Sequence, residues 1–368
     1  MLPAGILRSP KKGVNVTPPI DGVPTSTAAL VGEAAGQGPI EQAVLVTSLV
    51  EYERAFGAPQ SADELFLGVS QFFENGGRRA WVVRIRTHGA VAIGRGLAAL
   101  DAVDDIGLLC LPGLSGGRTL AAAAMYARSR RAFFVGDPAG TRTATVTAVR
   151  AIRPADRGHA AVYFPHVLVR DPLQPAATTS CGPSGGVTGL FARTDSERGV
   201  WVAAAGTKAP LRGAVGLTAV VDDRAATALR GQGVNALRQV PGPGIVLWGV
   251  RTVGSGAERR EDWKYVPVRR MALFIEESVE RGIEWVDFEP NDEPTWRRLR
   301  ETVATFLDEL FQQGTFSGTA PAEAFFVRCG SDTTTQSDID NGIVVIEIGF
   351  APFRPAEFVV LRVRHQRR

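Results

Sequence analysis

Apolar positions along this chain follow two alternating periods. In "SADELFLGVSQFFENGG", Leu65, Phe66, Val69, Phe72 and Phe73 recur at three- and four-residue steps, which lays one apolar stripe along a helix. Ser61 before Glu64 reads as a capping box, and Gly76 supplies the C-terminal stop. The strand "AWVVRIR" follows, and two earlier strands are expected around Ala28–Val31 and in "AVLVTS". "DIGLLCLPG" is a continuous apolar run ending in Pro-Gly, the pattern of a strand buried on both faces. "GRTLAAAAMYARSRRA" predicts a helix, "AFFVGDP" a second buried strand and "AAVYFPHVLV" a third. This rhythm over residues 100–170 predicts a largely parallel sheet covered by helices. Residues 173–186 have no periodicity and are expected to form a loop.

The last third changes character. "VRRMALFIEESVERG" and Glu293–Gln313 read as long amphipathic helices. In the second, Trp296, Leu299, Val303, Phe306, Leu307, Leu310 and Phe311 repeat at helical spacing, with Pro294 in the first turn and Gly314 at the exit. Strands are expected in "EAFFVRC" and "NGIVVIEIGFAP". A final one alternates Phe358, Val360 and Arg362 against Val359, Leu361 and Val363, with no partner strand after it. The first twenty residues hold four prolines and little to pack, so they read as an extended arm.

Composition adds limits rather than content. With 368 residues, 45% hydrophobic and 21% charged, the chain can bury a sizeable core, and its net charge of +3 is small. Basic residues gather only at the ends (Arg8, Lys11 and Lys12, and "RVRHQRR"), which argues for solvated termini rather than a nucleic-acid surface. Cys110, Cys181 and Cys329 are odd in number and widely spaced, so a reducing compartment is expected. No secretory leader pattern opens the chain and no apolar run nears a membrane span, so a protein made and kept soluble in a cytoplasm is expected.

The candidate chemistry is thin. "GPSGG" at Gly182–Gly186 matches the nucleophile-elbow pattern around Ser184, but that motif needs a strand immediately before the serine and a later histidine. Here a loop is expected before it, and the only later histidine is His365. His88, His159, His166 and His365 lack partners at metal-ligand spacing. "DIDNG" (Asp338–Gly342) resembles part of a calcium loop, but its spacing to Glu347 is one residue short, so an Asn-Gly turn between strands is expected. Gly76-Gly77-Arg78-Arg79 closes a helix, where the dipole is negative, so the two arginines are placed to steady the helix end or meet a neighbour rather than to hold phosphate. No catalytic, cofactor-binding or metal-ligating residue and no cofactor are expected.

Several stretches together resemble the contractile tail sheath proteins of phages and related injection machines. They are "DGVPTSTAALVG", "VLVTSLVEYERAFG", "FFENGGRRAWVVRI", "PSGGVTGLFARTDSERGVW", "GVNALRQVPGPGIVLWGVRT", "WKYVPVRRMALFIEESVERGIEWVDFEPNDEPTW", "LDELFQQGTFSG" and "APFRPAEFVVLRV". The resemblance implies an α/β sheath core, a mixed sheet flanked by helices with subtilisin-like topology in the middle region. An α+β C-terminal sheath domain and extended terminal arms complete it. The implied parts are an arm over 1–20, an α/β part over 21–100, the middle region over 101–254, the C-terminal domain over 255–355 and a strand arm over 356–368.

It further implies a subunit that polymerises in helical rings around an inner tube and contracts to drive that tube through a target envelope. Its implied partners are itself, the tube protein, and baseplate and terminator or cap proteins, with no nucleic acid and no membrane insertion. It would work in a phage tail or an extracellular or cell-associated injection particle. Ile6, Val14, Val16, Phe358, Val360 and Arg362 are the implied intersubunit strand residues, and Arg297, Arg298, Arg300, Arg78 and Arg79 the candidate contacts to tube or neighbouring subunits. Many sheath proteins are longer and carry an outward-facing extra domain, so a slim, core-only sheath or one of several paralogues in one machine is expected. A non-contractile tail or baseplate component sharing the sheath core is the alternative, and a serine hydrolase using Ser184 the remaining one.

Overall fold

The computed structural model describes residues 17–59, 63–256, 263–353 and 358–367. The chain forms two compact units. The larger takes in residues 22–277 and 351–359, and the smaller 278–350, 360–367 and the short segment 17–21.

In chain order the strands of the larger unit begin with β1 (Ala28–Glu33), β2 (Ala43–Val46), β3 (Ala80–Ile85), β4 (Leu108–Cys110), β5 (Phe133–Gly136) and β6 (Ala160–Phe164). They continue with β7 (Val167–Arg170), β8 (Thr178–Cys181), β9 (Ala214–Leu217), β10 (Val234–Val240) and β11 (Gly244–Leu247). An eight-stranded sheet runs in the order β11-β10-β6-β5-β4-β1-β3-β2. The pairs from β10 through to β3 are parallel, and β11 and β2 pair antiparallel at the two ends. A second sheet, β8-β7-β9, is antiparallel. The helices are α1 (Leu49–Phe56), α2 (Glu64–Glu74), α3 (Ala90–Ala98), α4 (Gly117–Ser129), α5 (Arg142–Arg150), α6 (Ser184–Arg198), α7 (Asp223–Arg230) and α8 (Val266–Gly282). The boundary with the smaller unit falls within α8.

Strands buried on both faces explain the unbroken apolar runs. Leu30, Val82, Leu108, Cys110 and Phe133 join a core shared with α2 and α6, whereas their neighbours Val31, Val83, Leu109 and Phe134 join one shared with α3, α4 and α5. The most enclosed element is α6, in which every residue from Ser184 to Thr194 is buried. Glycines let it approach α2. A Cβ on Gly185 would lie 2.2 Å from the Gly68 carbonyl oxygen, and one on Gly189 2.2 Å from that of Phe72. The glycines of "PSGGVTG" therefore form a flat helix face.

Several expectations change here. Residues 173–186 are not all loop: β8 and the start of α6 lie within them. The strand is polar, with Thr178 and Ser180 exposed and only Cys181 buried, so it carries no hydrophobic period. "AAVYFPHVLV" is two strands in different sheets, divided at the cis Phe164-Pro165 peptide. The α2 cap is Asp63, whose Oδ1 accepts from the Leu65 and Phe66 amides at 3.0 and 3.1 Å, and Ser61 lies outside the described residues.

The smaller unit holds α9 (Glu293–Gln312), α10 (Pro321–Ala324), β12 (Phe325–Arg328), α11 (Gln336–Asp340), β13 (Ile343–Phe350) and all but the first residue of β14 (Val359–Gln366). Its sheet runs β12-β13-β14, so the final strand has a partner within its own chain. Asp292 caps α9, and Trp296, Leu299, Val303, Phe306, Leu307 and Leu310 form its buried stripe. "DIDNG" is the end of α11 and its exit into β13 rather than a turn between strands, with Thr335 and Asp338 forming a capping box.

Candidate functional site

In open parallel sheets, ligand sites lie beyond the carboxyl ends of the strands. Here Gly113 follows β4, Asp137 follows β5, and the N-terminus of α6 arrives beside them. Asp137 is fully buried and accepts hydrogen bonds from the amides of Gly113 (2.9 Å) and Ser184 (2.7 Å). A helix N-terminus attracts anions, and the chain's own carboxylate takes that place. Gly182 lets the carboxylate in, since a Cβ there would stand 2.0 Å from Asp137 Oδ2. Burial pushes the Asp137 carboxyl up, against the two backbone donors that pull it down. Glu64, which accepts from the Gly182 amide at 3.4 Å, is pushed up to about 7, first by burial and then by Asp137.

Ser184 does have the strand–turn–helix setting of a nucleophile elbow, contrary to the loop expected before it. Its hydroxyl is nevertheless fully buried, beside the Cys110 thiol and the Asp137 carboxylate, without a well-formed hydrogen bond. Among the described residues no histidine bonds to it. Burial raises the Cys110 thiol to about 12 and the Cys181 thiol well above its usual value, which keeps both protonated and unreactive. Among the described residues no group of three or more His, Cys, Asp or Glu is placed to hold a metal ion.

The Gly76–Arg79 corner is a helix end. The Gly76 and Gly77 amides donate back to the Phe73 and Phe72 carbonyls, both at 3.0 Å, so neither is offered to a ligand. Gly76 has φ 98°, and a Cβ on Gly77 would lie 2.3 Å from the Phe72 ring. Asn75 fixes the corner by accepting from the Arg212 amide (2.8 Å) and donating to its carbonyl (3.1 Å). Arg79 pairs with Asp105 at 3.0 Å, and Arg78 is exposed.

On α9, Arg297 is exposed, while its neighbours are engaged within their own unit. Arg298 pairs with Glu289 at 3.0 Å and stacks 4.4 Å over Trp285; Arg300 pairs with Glu293 at 2.6 Å and donates to the Cys329 carbonyl. On β14, Val359, Leu361, Val363 and His365 point inward and Val360, Arg362, Arg364 and Gln366 outward. Phe358 and Val360 are 41% and 47% exposed, and Arg362 pairs with Glu347 at 3.1 Å. Ile6, Val14 and Val16 lie outside the described residues.

Sequence reasoning missed three arrangements. Asp137 was findable as the lone acid after the apolar run "FFVG". The buried pair of Asp195 and Arg270, at 2.6 and 2.8 Å with Thr25 also bonding Asp195 at 2.7 Å, joins residues far apart in sequence and leaves no local trace. His365 lies between Asp287 (2.8 Å) and Glu280 (3.2 Å), which raise it above its ordinary value, the Glu280 contact first.

Comparison with known proteins covers both units. The family model of the phage tail sheath protein central domain matches residues 92–253, and that of the phage tail sheath C-terminal domain matches 258–366. No curated protein matches the chain in sequence. The chain is similar to the sheath of an extracellular contractile injection system (PVC) in its contracted state, with TM-score 0.78, 27% identity and 98% of each chain covered. It is similar to the contracted helical sheath of the anti-feeding prophage, with TM-score 0.76, 26% identity and 98% of each chain covered. The sheath tail protein of Listeria innocua shares the fold at 12% identity, with TM-score 0.71 over 94% of this chain and 96% of that one. The central-domain and C-terminal-domain matches follow one another over most of the sequence, and on that ground the chain belongs to the contractile tail sheath family.

Proposed function

We infer that this chain is the repeating subunit of a contractile sheath and that it works by assembling with copies of itself. The observation that carries this is the likeness to two contracted injection-system sheaths over 98% of both chains, which leaves neither unit outside the comparison. The closed chemistry supports it. The place where an α/β enzyme would hold a ligand is filled by Asp137, and the nearby nucleophiles are buried.

Strand exchange between subunits is the finer reading. The proline-rich residues 1–20, with Ile6, Val14 and Val16, and the outward row of Phe358, Val360 and Arg362 on β14 are suited to adding strands to a neighbour's sheet. Main-chain hydrogen bonds then hold the lattice while side-chain contacts change. A tube protein inside the cylinder and baseplate and cap proteins at its ends complete the assembly, formed in a bacterial cytoplasm. Of the arginines on α9, Arg297 is the one best placed for a tube surface, because Arg298 and Arg300 already hold partners of their own. Similarity to a chain of the anti-feeding prophage baseplate, at 26% identity and 98% coverage, supports placement in the ring next to a baseplate as a second reading. Electron microscopy of the purified full chain tests the function: stacked-ring cylinders are expected, and monodisperse particles at high concentration would overturn it.

A further inference from the structure

A pocket of about 290 Å³ opens in the larger unit at the end of the sheet opposite Asp137, where the chain enters β6. Its lining includes Arg128, Arg157, His159, Trp263 and Arg269. The polar side chains among these are three arginines, a histidine and an indole. Arg269 donates to His159 Nε2 at 2.6 Å. An arginine has no lone pair to offer, so Nε2 is the acceptor and the histidine proton sits on Nδ1. Burial, then Arg269 and Arg128, hold the imidazole neutral by pushing it down to about 2.

His159 Nδ1–H and Arg269 Nε–H are consequently both donors, both buried, and both without an acceptor among the described residues. Arg157 uses only Nε, on the Ile152 carbonyl at 3.0 Å, so its terminal nitrogens add further donors. The carboxylates nearby are already engaged. Asp156 holds Arg153 at 2.7 Å and Arg128 at 3.4 Å, and Glu276 holds Arg269 at 3.5 Å. Among the described residues, three arginines line the pocket, Arg128, Arg157 and Arg269, and Trp263, 4.3 Å beneath the Arg269 guanidinium, closes one wall with an aromatic face.

We propose that this pocket binds a phosphate-class oxyanion, with room against Trp263 for the organic part of a phosphomonoester. Acceptor-rich oxygens match lining side chains that offer only donors, and guanidinium forks fit their geometry. The volume exceeds what a bare phosphate fills, which is why an organic substituent is included.

The test is equilibrium binding of inorganic phosphate and of adenosine 5′-monophosphate to the full-length protein at matched ionic strength, with chloride as the reference anion. Saturable binding of at least one probe is expected. Arg157→Gln should weaken it about tenfold, the effect of losing one charge-assisted contact. Arg118→Gln, an exposed arginine outside the pocket, should leave it unchanged. Arg128→Gln provides a second route if Arg157→Gln fails to fold, since Asp156 keeps Arg153. Adenosine monophosphate binding more tightly than phosphate would support the aromatic wall, and equal binding would support an oxyanion site alone. Binding no stronger than that of chloride, or equal losses in Arg118→Gln and Arg157→Gln, would overturn the proposal.

Discussion

The α2–α6 contact in the larger unit and the β12-β13-β14 sheet in the smaller one place their strong interactions differently. At α2–α6, backbones touch through Gly185 and Gly189, and polar groups such as Asn75, Asp137 and Asp195 are turned inward onto partners of the same chain. In the small sheet, β12 and β14 are the edges among the described residues, and β14 alternates buried and exposed side chains along its length. The strand-exchange reading proposed above uses both designs: a body that does not deform, and edges whose main-chain groups a neighbour would share. The expected consequence is that changes at α2–α6 abolish folding, whereas changes on β14 abolish assembly.

The largest effect is expected from Gly189→Leu. The first side-chain carbon already collides with the Phe72 carbonyl, so α6 must be displaced from a fully buried position. Destabilisation of at least about 4 kcal/mol is expected, or no soluble protein at all. Normal thermal melting of this variant would break the picture of a rigid centre. Asp195→Ala should follow, because it leaves the Arg270 guanidinium, 6% exposed, without its carboxylate. A loss of about 3–5 kcal/mol is expected in urea unfolding.

On the other side of the comparison, Phe358→Lys combined with Val360→Lys, both on exposed positions, should change monomer stability by no more than about 0.5 kcal/mol each yet abolish cylinders in electron micrographs. Deleting residues 1–16 should do the same. Cylinders that survive both changes would remove the strand-exchange reading while leaving the sheath assignment intact.

The two regions also differ in pH response. Glu64 has its folded value raised from 4.5 to about 7, so the folded state keeps a proton that the unfolded chain releases. Its contribution is fully present below about pH 4.5, is lost as pH rises through 7, and is flat beyond, a fall of roughly 3 kcal/mol. His365 is raised above 6.5 by Glu280 and Asp287, so its contribution holds below 6.5 and is lost at more alkaline pH. Urea unfolding from pH 4 to 9, read for each unit by local probes, should place the two losses in adjacent windows. Glu64→Gln should flatten only the first, and coincident losses would argue that the units unfold as one.

What the sequence made legible follows from how local each cause is. The buried runs "GLLCL" and "AFFVG" and the stripe of α9 are set by neighbours three or four residues away, and the strands and helix stand where they predict. The strand β8 escaped because "TTSC" lies on an exposed edge and has no apolar alternation to show. The split of "AAVYFPHVLV" depends on Pro165, a signal present in the sequence and outweighed by the apolar residues on both sides of it. The residues that close the would-be active site, Glu64, Asp137 and Ser184, come from three distant segments and meet only through the sheet.

Ser184→Ala carries the smallest expected effect and the sharpest meaning. Its hydroxyl is fully buried and makes no well-formed hydrogen bond, while its amide, which the substitution keeps, donates to Asp137. Replacing an unsatisfied buried hydroxyl by a methyl group should therefore change stability by less than about 1 kcal/mol, in either direction. Assembly should be unaffected, because the side chain reaches no surface. A hydrolytic role would instead make this serine the one position where a silent change in melting temperature accompanies complete loss of an activity. Wild-type protein incubated with a generic ester should give no turnover for the substitution to remove. Turnover that disappears in Ser184→Ala would reopen the enzyme reading, and would require the α6 N-terminus to open by several ångströms from the packing described above.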